Sequence, residues 1–265
     1  SLPAPAPVCE GSPIVLSATP IGGTPAYQFQ WTQNGTVVPG ATSEVITIPN
    51  PPVGNNVYSV VMTDANGCQT QATTNVQVNP NPSISIAQPN GVCEGSNVSL
   101  NAITSGGLPP YTYMWSENGV AMSVSTATII TVPAVGNVTY SVTVTDANGC
   151  QNETDVVISV FPNLNVVVPT PNAVCDGESV TITASASGGT PAYQYQWLQN
   201  GVNIPGAINA TLFVPNPPMG TNSYSVNVID ANGCNGTQSV TVTVNPNPVV
   251  NIPPVPAICV GESAS

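Results

Sequence analysis

A cysteine-to-cysteine module occurs three times in this chain and opens a fourth time. Cys9 and Cys68 bracket the first copy, Cys93 and Cys150 the second, and Cys175 and Cys234 the third, while Cys259 opens the next. The opening cysteines stand 84, 82 and 84 residues apart. Trp31, Trp115 and Trp197 each follow an opening cysteine by 22 residues, and every closing cysteine ends the same five residues, Asp-Ala-Asn-Gly-Cys. A period this regular makes each module one structural unit stacked against its neighbours, so function is to be sought first in what an array does.

Proline-rich joints separate the copies: Asn79-Pro-Asn-Pro82, Phe161-Pro-Asn163 and Asn245-Pro-Asn-Pro248. Proline stiffens such short joints toward extended backbone. The expected domains are residues 1–80, 81–162 and 163–246, with 247–265 the start of a fourth repeat.

Inside each copy the hydrophobic period is two, the signal of a strand. Ile14 and Leu16, then Tyr27, Phe29 and Trp31, then Ile46 and Ile48, then Tyr58, Val60 and Met62, then Val76 and Val78 alternate with polar residues, and the other copies repeat the scheme. Six or seven short strands around one tryptophan imply an all-β fold of tandem immunoglobulin-like sandwiches arranged end to end. The expected core includes Trp31, Trp115 and Trp197 with Tyr58, Tyr140 and Tyr224. The same parity argues against an aromatic platform for glycans, which would need these rings on the outer face.

Fixed cysteine spacing in small β modules reads as one disulfide per domain in an oxidising compartment. The expected pairs are Cys9–Cys68, Cys93–Cys150 and Cys175–Cys234, with Cys259 paired beyond residue 265. Because Cys9 precedes the first strand run and Cys68 follows the strand carrying Tyr58, each bridge is expected at one end of its sandwich, away from the tryptophan. Load entering near Cys9 would then cross to Cys68 and bypass the residues between.

Composition narrows the function further. The chain has no Lys, Arg or His and a net charge of −12. Phosphate backbones and anionic membrane surfaces are bound by Lys and Arg, so neither nucleic acid nor lipid headgroups are expected partners. Neither histidine nor lysine is present for catalysis, and no enzymatic activity is expected. No apolar run has the ~18 residues of a membrane helix.

The segment Gly22-Gly-Thr-Pro-Ala-Tyr-Gln-Phe-Gln-Trp31, followed by Asn34-Gly35 and by Tyr58-Ser-Val-Val-Met-Thr-Asp-Ala-Asn-Gly-Cys68, resembles the SprB-type repeat and its immunoglobulin-like relatives in giant surface adhesins of Bacteroidota. The resemblance recurs in all three copies. It implies export to the cell surface, often by type IX secretion, and long extracellular filaments used in gliding, attachment or prey capture; it implies no ligand.

Asp64-Ala-Asn-Gly67, Asp146-Ala-Asn-Gly149 and Asp230-Ala-Asn-Gly233 read as hairpin turns in which Asn-Gly supplies positive φ and the Asp accepts backbone N–H bonds. The alternative is a Ca²⁺ site that joins Asp64, Asp146 or Asp230 to the acid beside the opening cysteine, Glu10, Glu94 or Asp176. Calcium takes six to eight oxygens, more than each copy offers, and Val260 holds the acidic place in the fourth copy. No cofactor is therefore expected. Six Asn-x-Ser/Thr triplets, at Asn34, Asn97, Asn137, Asn152, Asn209 and Asn235, are expected to be unused in a bacterial source.

The expected function is a stalk or fibre segment of a large cell-surface adhesin, with further repeats as partners and lateral association into a bundle left open. The alternatives are a Ca²⁺- or glycan-dependent module that touches a ligand directly, and the spacer of a secreted enzyme.

Overall fold

The computed structural model describes residues 2–253, so Cys259 and most of the fourth repeat lie outside the described residues. Two compact units divide between Val160 and Phe161. The first unit holds two sandwiches and the second holds one.

The first sandwich is built from β1 (Val8–Cys9), β2 (Ile14–Ser17), β3 (Gln28–Gln33), β4 (Thr36–Val37), β5 (Val45–Ile48), β6 (Gly54–Thr63) and β7 (Gln69–Asn79). One sheet runs β1-β7-β6-β3-β4 and faces the pair β2-β5. In the second sandwich the strands are β8 (Ser83–Ile86), β9 (Val92–Cys93), β10 (Val98–Ser105), β11 (Thr112–Glu117), β12 (Val120–Ala121), β13 (Thr128–Thr131), β14 (Gly136–Thr145) and β15 (Gln151–Phe161). Its smaller sheet has a third strand, because β8 pairs with the distal half of β10. The second unit has β16 (Leu164–Val167), β17 (Val174–Cys175), β18 (Val180–Thr183), β19 (Ser185–Gly188), β20 (Gln194–Gln199), β21 (Val202–Asn203), β22 (Thr211–Val214), β23 (Gly220–Ile229) and β24 (Asn235–Asn245), and there the counterpart of β10 is split into β18 and β19, which form the separate pairs β18-β22 and β16-β19. There is no helix among the described residues.

Each sandwich has its own core drawn from one repeat. Trp31, Trp115, Trp197, Tyr58, Tyr140 and Tyr224 are all fully buried there. The polar ends of these rings keep partners, as burial requires. The indole Nε1 of Trp31 donates to the Ser43 carbonyl at 2.9 Å, and Trp115 and Trp197 make the same bond to Thr126 and Asn209. Gln33 and Gln199 donate to the hydroxyls of Tyr58 and Tyr224. Burial pushes all three phenols above their ordinary range.

The disulfides depart from the one-per-domain scheme. Cys9 is bonded to Cys150, across the joint between the first two sandwiches, with the Cα atoms 5.4 Å apart. Cys93 and Cys234 are each disulfide-bonded. Cys68 and Cys175 are exposed free thiols. The expected Cys9–Cys68, Cys93–Cys150 and Cys175–Cys234 pairs are therefore all absent.

The cause is the direction of the first short strand. β1 runs parallel to β7, with Val8 opposite Val78 and Cys9 opposite Asn79. Cys68 lies just before the other end of β7. Eleven residues at ~3.3 Å each separate the two cysteines by about 35 Å, whereas a disulfide needs Cα atoms within about 7 Å. Cys9 belongs to the exit end of its sandwich, where the chain passes into the next.

Candidate functional site at the repeat joint

Two constructions recur at the ends of the sandwiches, and they meet at the Cys9–Cys150 bridge. The first is the turn that carries the closing cysteine. Asp146 Oδ1 accepts the N–H groups of Asn148 and Cys150 at 2.9 and 2.8 Å. Its Oδ2 accepts the N–H of Leu108 at 2.9 Å, tying this turn to the Gly106-Gly107 loop. Asp64 does the same with Asn66, Cys68 and Thr24, and Asp230 with Asn232, Cys234 and Thr190. The backbone adds a second tie, from Ala65, Ala147 and Ala231 N–H to the carbonyls of Thr24, Leu108 and Thr190.

These carboxylates are held below the usual carboxylate range. For Asp64 and Asp230 the largest cause is the N–H bond from Thr24 or Thr190. For Asp146 burial acts strongest and upward, but the bonds from Leu108, Cys150 and Asn148 together outweigh it. Bonds to the charged form of a carboxylate depress its pKa in this way.

Within this turn only the glycine has positive φ, at 83°, 81° and 83° for Gly67, Gly149 and Gly233. The expectation that both Asn and Gly would be left-handed fits the other Asn-Gly pair instead, where Asn34 and Gly35 have φ of 49° and 81° and join β3 to β4. The second glycine of each Gly-Gly pair has a separate reason. A Cβ on Gly107 would lie 2.8 Å from Asp146 Oδ2, and one on Gly189 would lie 2.6 Å from Asp230 Oδ2. Glycine lets the loop close onto the carboxylate.

The calcium alternative paired each Asp with the acid beside the opening cysteine. Glu10 donates its N–H to the Asn79 carbonyl at 2.8 Å, so it sits at the far end of the sandwich from Asp64. One repeat does not assemble that donor set. The Asp oxygens that would face a cation take backbone N–H donors.

The second construction is the joint itself. Asn81 Nδ2 donates to the Glu10 carbonyl at 3.2 Å, and Asn152 Nδ2 donates to the carbonyl of buried Pro82 at 2.9 Å. A Cβ on Gly107 would also meet Pro82 Cα at 3.3 Å, so the joint lies directly on the Gly-Gly loop. Cys150, fully buried, sits here and takes Cys9. In the second unit Cys175 stands opposite Asn245, and Asn247 Nδ2 donates to the Asp176 carbonyl at 2.9 Å. The exit end of the third sandwich thus has the build of the first.

Sequence reasoning singled out the turn and the cysteines. It missed the Gly-Gly clamp and the two joint asparagines, Asn81 and Asn247. Their signal was the recurrence of Asn-Pro-Asn-Pro after a strand of equal length in the first and third copies.

A family model described as "Ig-like domain CHU_C associated" matches residues 162–246, the third repeat. The "Decoration protein" of Escherichia phage T5 is 36% identical over 73 residues, which is 27% of this chain and 44% of that protein. Among solved structures, the N-terminal eight immunoglobulin domains of Down Syndrome Cell Adhesion Molecule isoform 1.30.30 superpose with a TM-score of 0.56 at 20% identity, over 92% of this chain and 36% of that one. Three N-terminal domains of the bacteriophage RB49 outer capsid protein Hoc give 0.46 at 14% identity, over 90% and 96% of the two chains. The first superposition shows the fold: the chain consists of tandem immunoglobulin-like domains.

Proposed function

We propose that this chain is a load-bearing stalk segment of a large extracellular fibre or cell-surface adhesin. The observation that carries this reading is the bridge from Cys9 to Cys150, a covalent tie across a repeat joint. Such a tie does little for a single sandwich, yet it stops two neighbours from separating or unravelling under tension. The bridge closes a 141-residue interval, which contributes about 5 kcal/mol in the chain-entropy model.

Other features fit the same role. Immunoglobulin-like modules are common in adhesion and extracellular proteins, and stable disulfides belong to oxidising compartments. The titratable groups that catalysis would need are sparse, and the three best-held carboxylates are occupied by backbone donors. The outer edges of the larger sheets are guarded by length, since β4, β12 and β21 have two residues each. The resemblance to SprB-type repeats extends the proposal to a Bacteroidota surface fibre, exported by type IX secretion and serving gliding, attachment or prey capture.

The test is antibody labelling of intact source cells with serum raised against this chain, joined to imaging of strains that lack one or more repeats. The reading expects surface label without lysis and fibres that shorten in step with the copies removed. Label only after lysis, or fibre length independent of repeat number, would overturn it.

A further inference from the structure

The first sandwich carries a groove that a load-bearing role does not use. It lies on the outer face of the larger sheet, across β3, β6 and β7, and has a volume of about 660 Å³. Gln28, Gln30, Thr42, Thr63 and Gln69 line it, with Tyr27 and Phe29. Register brings these side chains together. Gln28 stands opposite Thr63, and Thr63 stands opposite Gln69. Their parity is opposite to that of buried Trp31, Val60 and Val76, so they point outward.

The lining is polar yet uncharged. Its three amides and two hydroxyls can each donate and accept hydrogen bonds. The side chains of Gln28 and Thr42 make no hydrogen bond among the described residues. Gln30 and Gln69 each donate one, to the Trp31 carbonyl at 3.2 Å and to the Thr63 hydroxyl at 3.3 Å, and keep the amide oxygen as an acceptor. The backbone adds one more donor and acceptor. Trp31 turns its N–H and carbonyl away from β6, where Ala41 and Val38 take them. Phe29 has the same parity, but β4 reaches only Thr32 and Gln33, so the N–H and carbonyl of Phe29 lie at an open edge.

A repeat in front leaves this face open. The second sandwich follows another directly, and there Thr112 and Gln151, the equivalents of Gln28 and Gln69, are exposed, while Met114, the equivalent of Gln30, is 57% exposed. The lining itself does not recur. Thr112 and Met114 replace both β3 amides in the second sandwich, and Ile208 and Ile229 replace Thr42 and Thr63 in the third. Gln196, the equivalent of Gln30 there, spends its amide nitrogen on the Trp197 and Ile204 carbonyls at 2.9 and 3.0 Å. A spacer needs no such difference between copies.

We propose that this groove of the first sandwich binds a short neutral saccharide. Neighbouring hydroxyls on a sugar ring match side chains that donate and accept at once, and Tyr27 and Phe29 offer apolar surface to its C–H faces. The large core rings stay inside, as parity requires; amides make this site. Its volume falls in the range of about 300–1,000 Å³ usual for small-molecule sites. Anionic sugars fit poorly, because the chain has no cation and a net charge of −12. An extended peptide fits poorly too. Strand addition needs a run of open backbone groups, and within β3 only Phe29 supplies a pair.

The inference goes beyond the stalk reading, and its test uses the whole chain. The labelled protein is applied to an array of neutral oligosaccharides, namely oligomers of glucose, mannose, galactose and N-acetylglucosamine, printed beside sialylated and uronic-acid oligomers. Bound sugars are then titrated in solution by saturation-transfer NMR. Binding to a neutral class and to none of the anionic ones is expected. Gln28→Thr/Gln30→Met should weaken that binding about tenfold or more, through the loss of two amides. These are the residues with which the second sandwich folds, so the thermal midpoint should hold. No neutral sugar bound, binding confined to anionic sugars, or an affinity unchanged by Gln28→Thr/Gln30→Met would overturn the proposal. Each of these results would leave the Cys9–Cys150 tie, and with it the stalk reading, untouched.

Discussion

Pulling on the first unit should show a length that the cross-joint bridge conceals. Handles are placed through azide-bearing residues at positions 1 and 162 of the whole chain. With Cys9 and Cys150 bonded, tension crosses from one sulfur to the other, and the 141-residue interval carries none of it. About twenty residues between the handles remain extensible, roughly 70 Å of contour at ~3.4 Å per residue. The Cys9→Ser/Cys150→Ser variant removes the bypass, so both sandwiches unfold and about 480 Å is added. Optical tweezers resolve this difference easily. The second handle, at position 162, lies two residues past the first unit, so the pulled interval holds both of its sandwiches. Equal contour lengths for the parent and the variant would refute the load path. A gain near 200 Å on removing either cysteine would restore the one-bridge-per-domain scheme.

Stability should be nearly flat between about pH 5 and 8, because no histidine is present to titrate there. The folded pKa values of Asp64, Asp146 and Asp230 lie below their unfolded ones, so their contribution is present above about pH 4 and is lost as pH falls through the folded values. Asp146→Asn should reduce that acid limb, measured as urea midpoint against pH. The phenols of Tyr58, Tyr140 and Tyr224 are shifted up, so their contribution is present below about pH 10 and is lost as pH rises beyond it. Gly107→Ala should destabilise by about 2–4 kcal/mol through φ strain and collision with Asp146, while Gly119→Ala, which meets nothing within 4 Å, should cost about 1 kcal/mol in the same urea assay. Trp115→Ala, at a fully buried ring, should cost about 3–5 kcal/mol by the same measurement.

Much of this structure is written in local residue chemistry. Period-two alternation placed Trp31, Tyr58 and their equivalents inside, because parity decides which face of a strand is buried and needs no knowledge of distant partners. The Asp-Ala-Asn-Gly turn was legible for the same reason: its bonds close within five residues. Its reach to Thr24, forty residues earlier, was not. Nor was the bridge. Whether Cys9 meets Cys68 or Cys150 depends on whether a two-residue strand runs parallel or antiparallel to β7, and Val8-Cys9 is too short for any pattern to declare a direction. A parallel run of two residues reversed the end of the domain at which the cysteine lies. It turned an internal staple into a link between neighbours.

Disulfide mapping tests that link most directly. The chain lacks Lys and Arg, so trypsin has no site, but cleavage before Asp64, Asp146, Asp155, Asp176 and Asp230 separates the relevant cysteines. Digestion without reduction should yield residues 1–63, which carry Cys9, joined to residues 146–154, which carry Cys150. Recovery of residues 1–63 joined to residues 64–145, which hold Cys68 and Cys93, would mean that the repeats are closed on themselves and the joint is not tied.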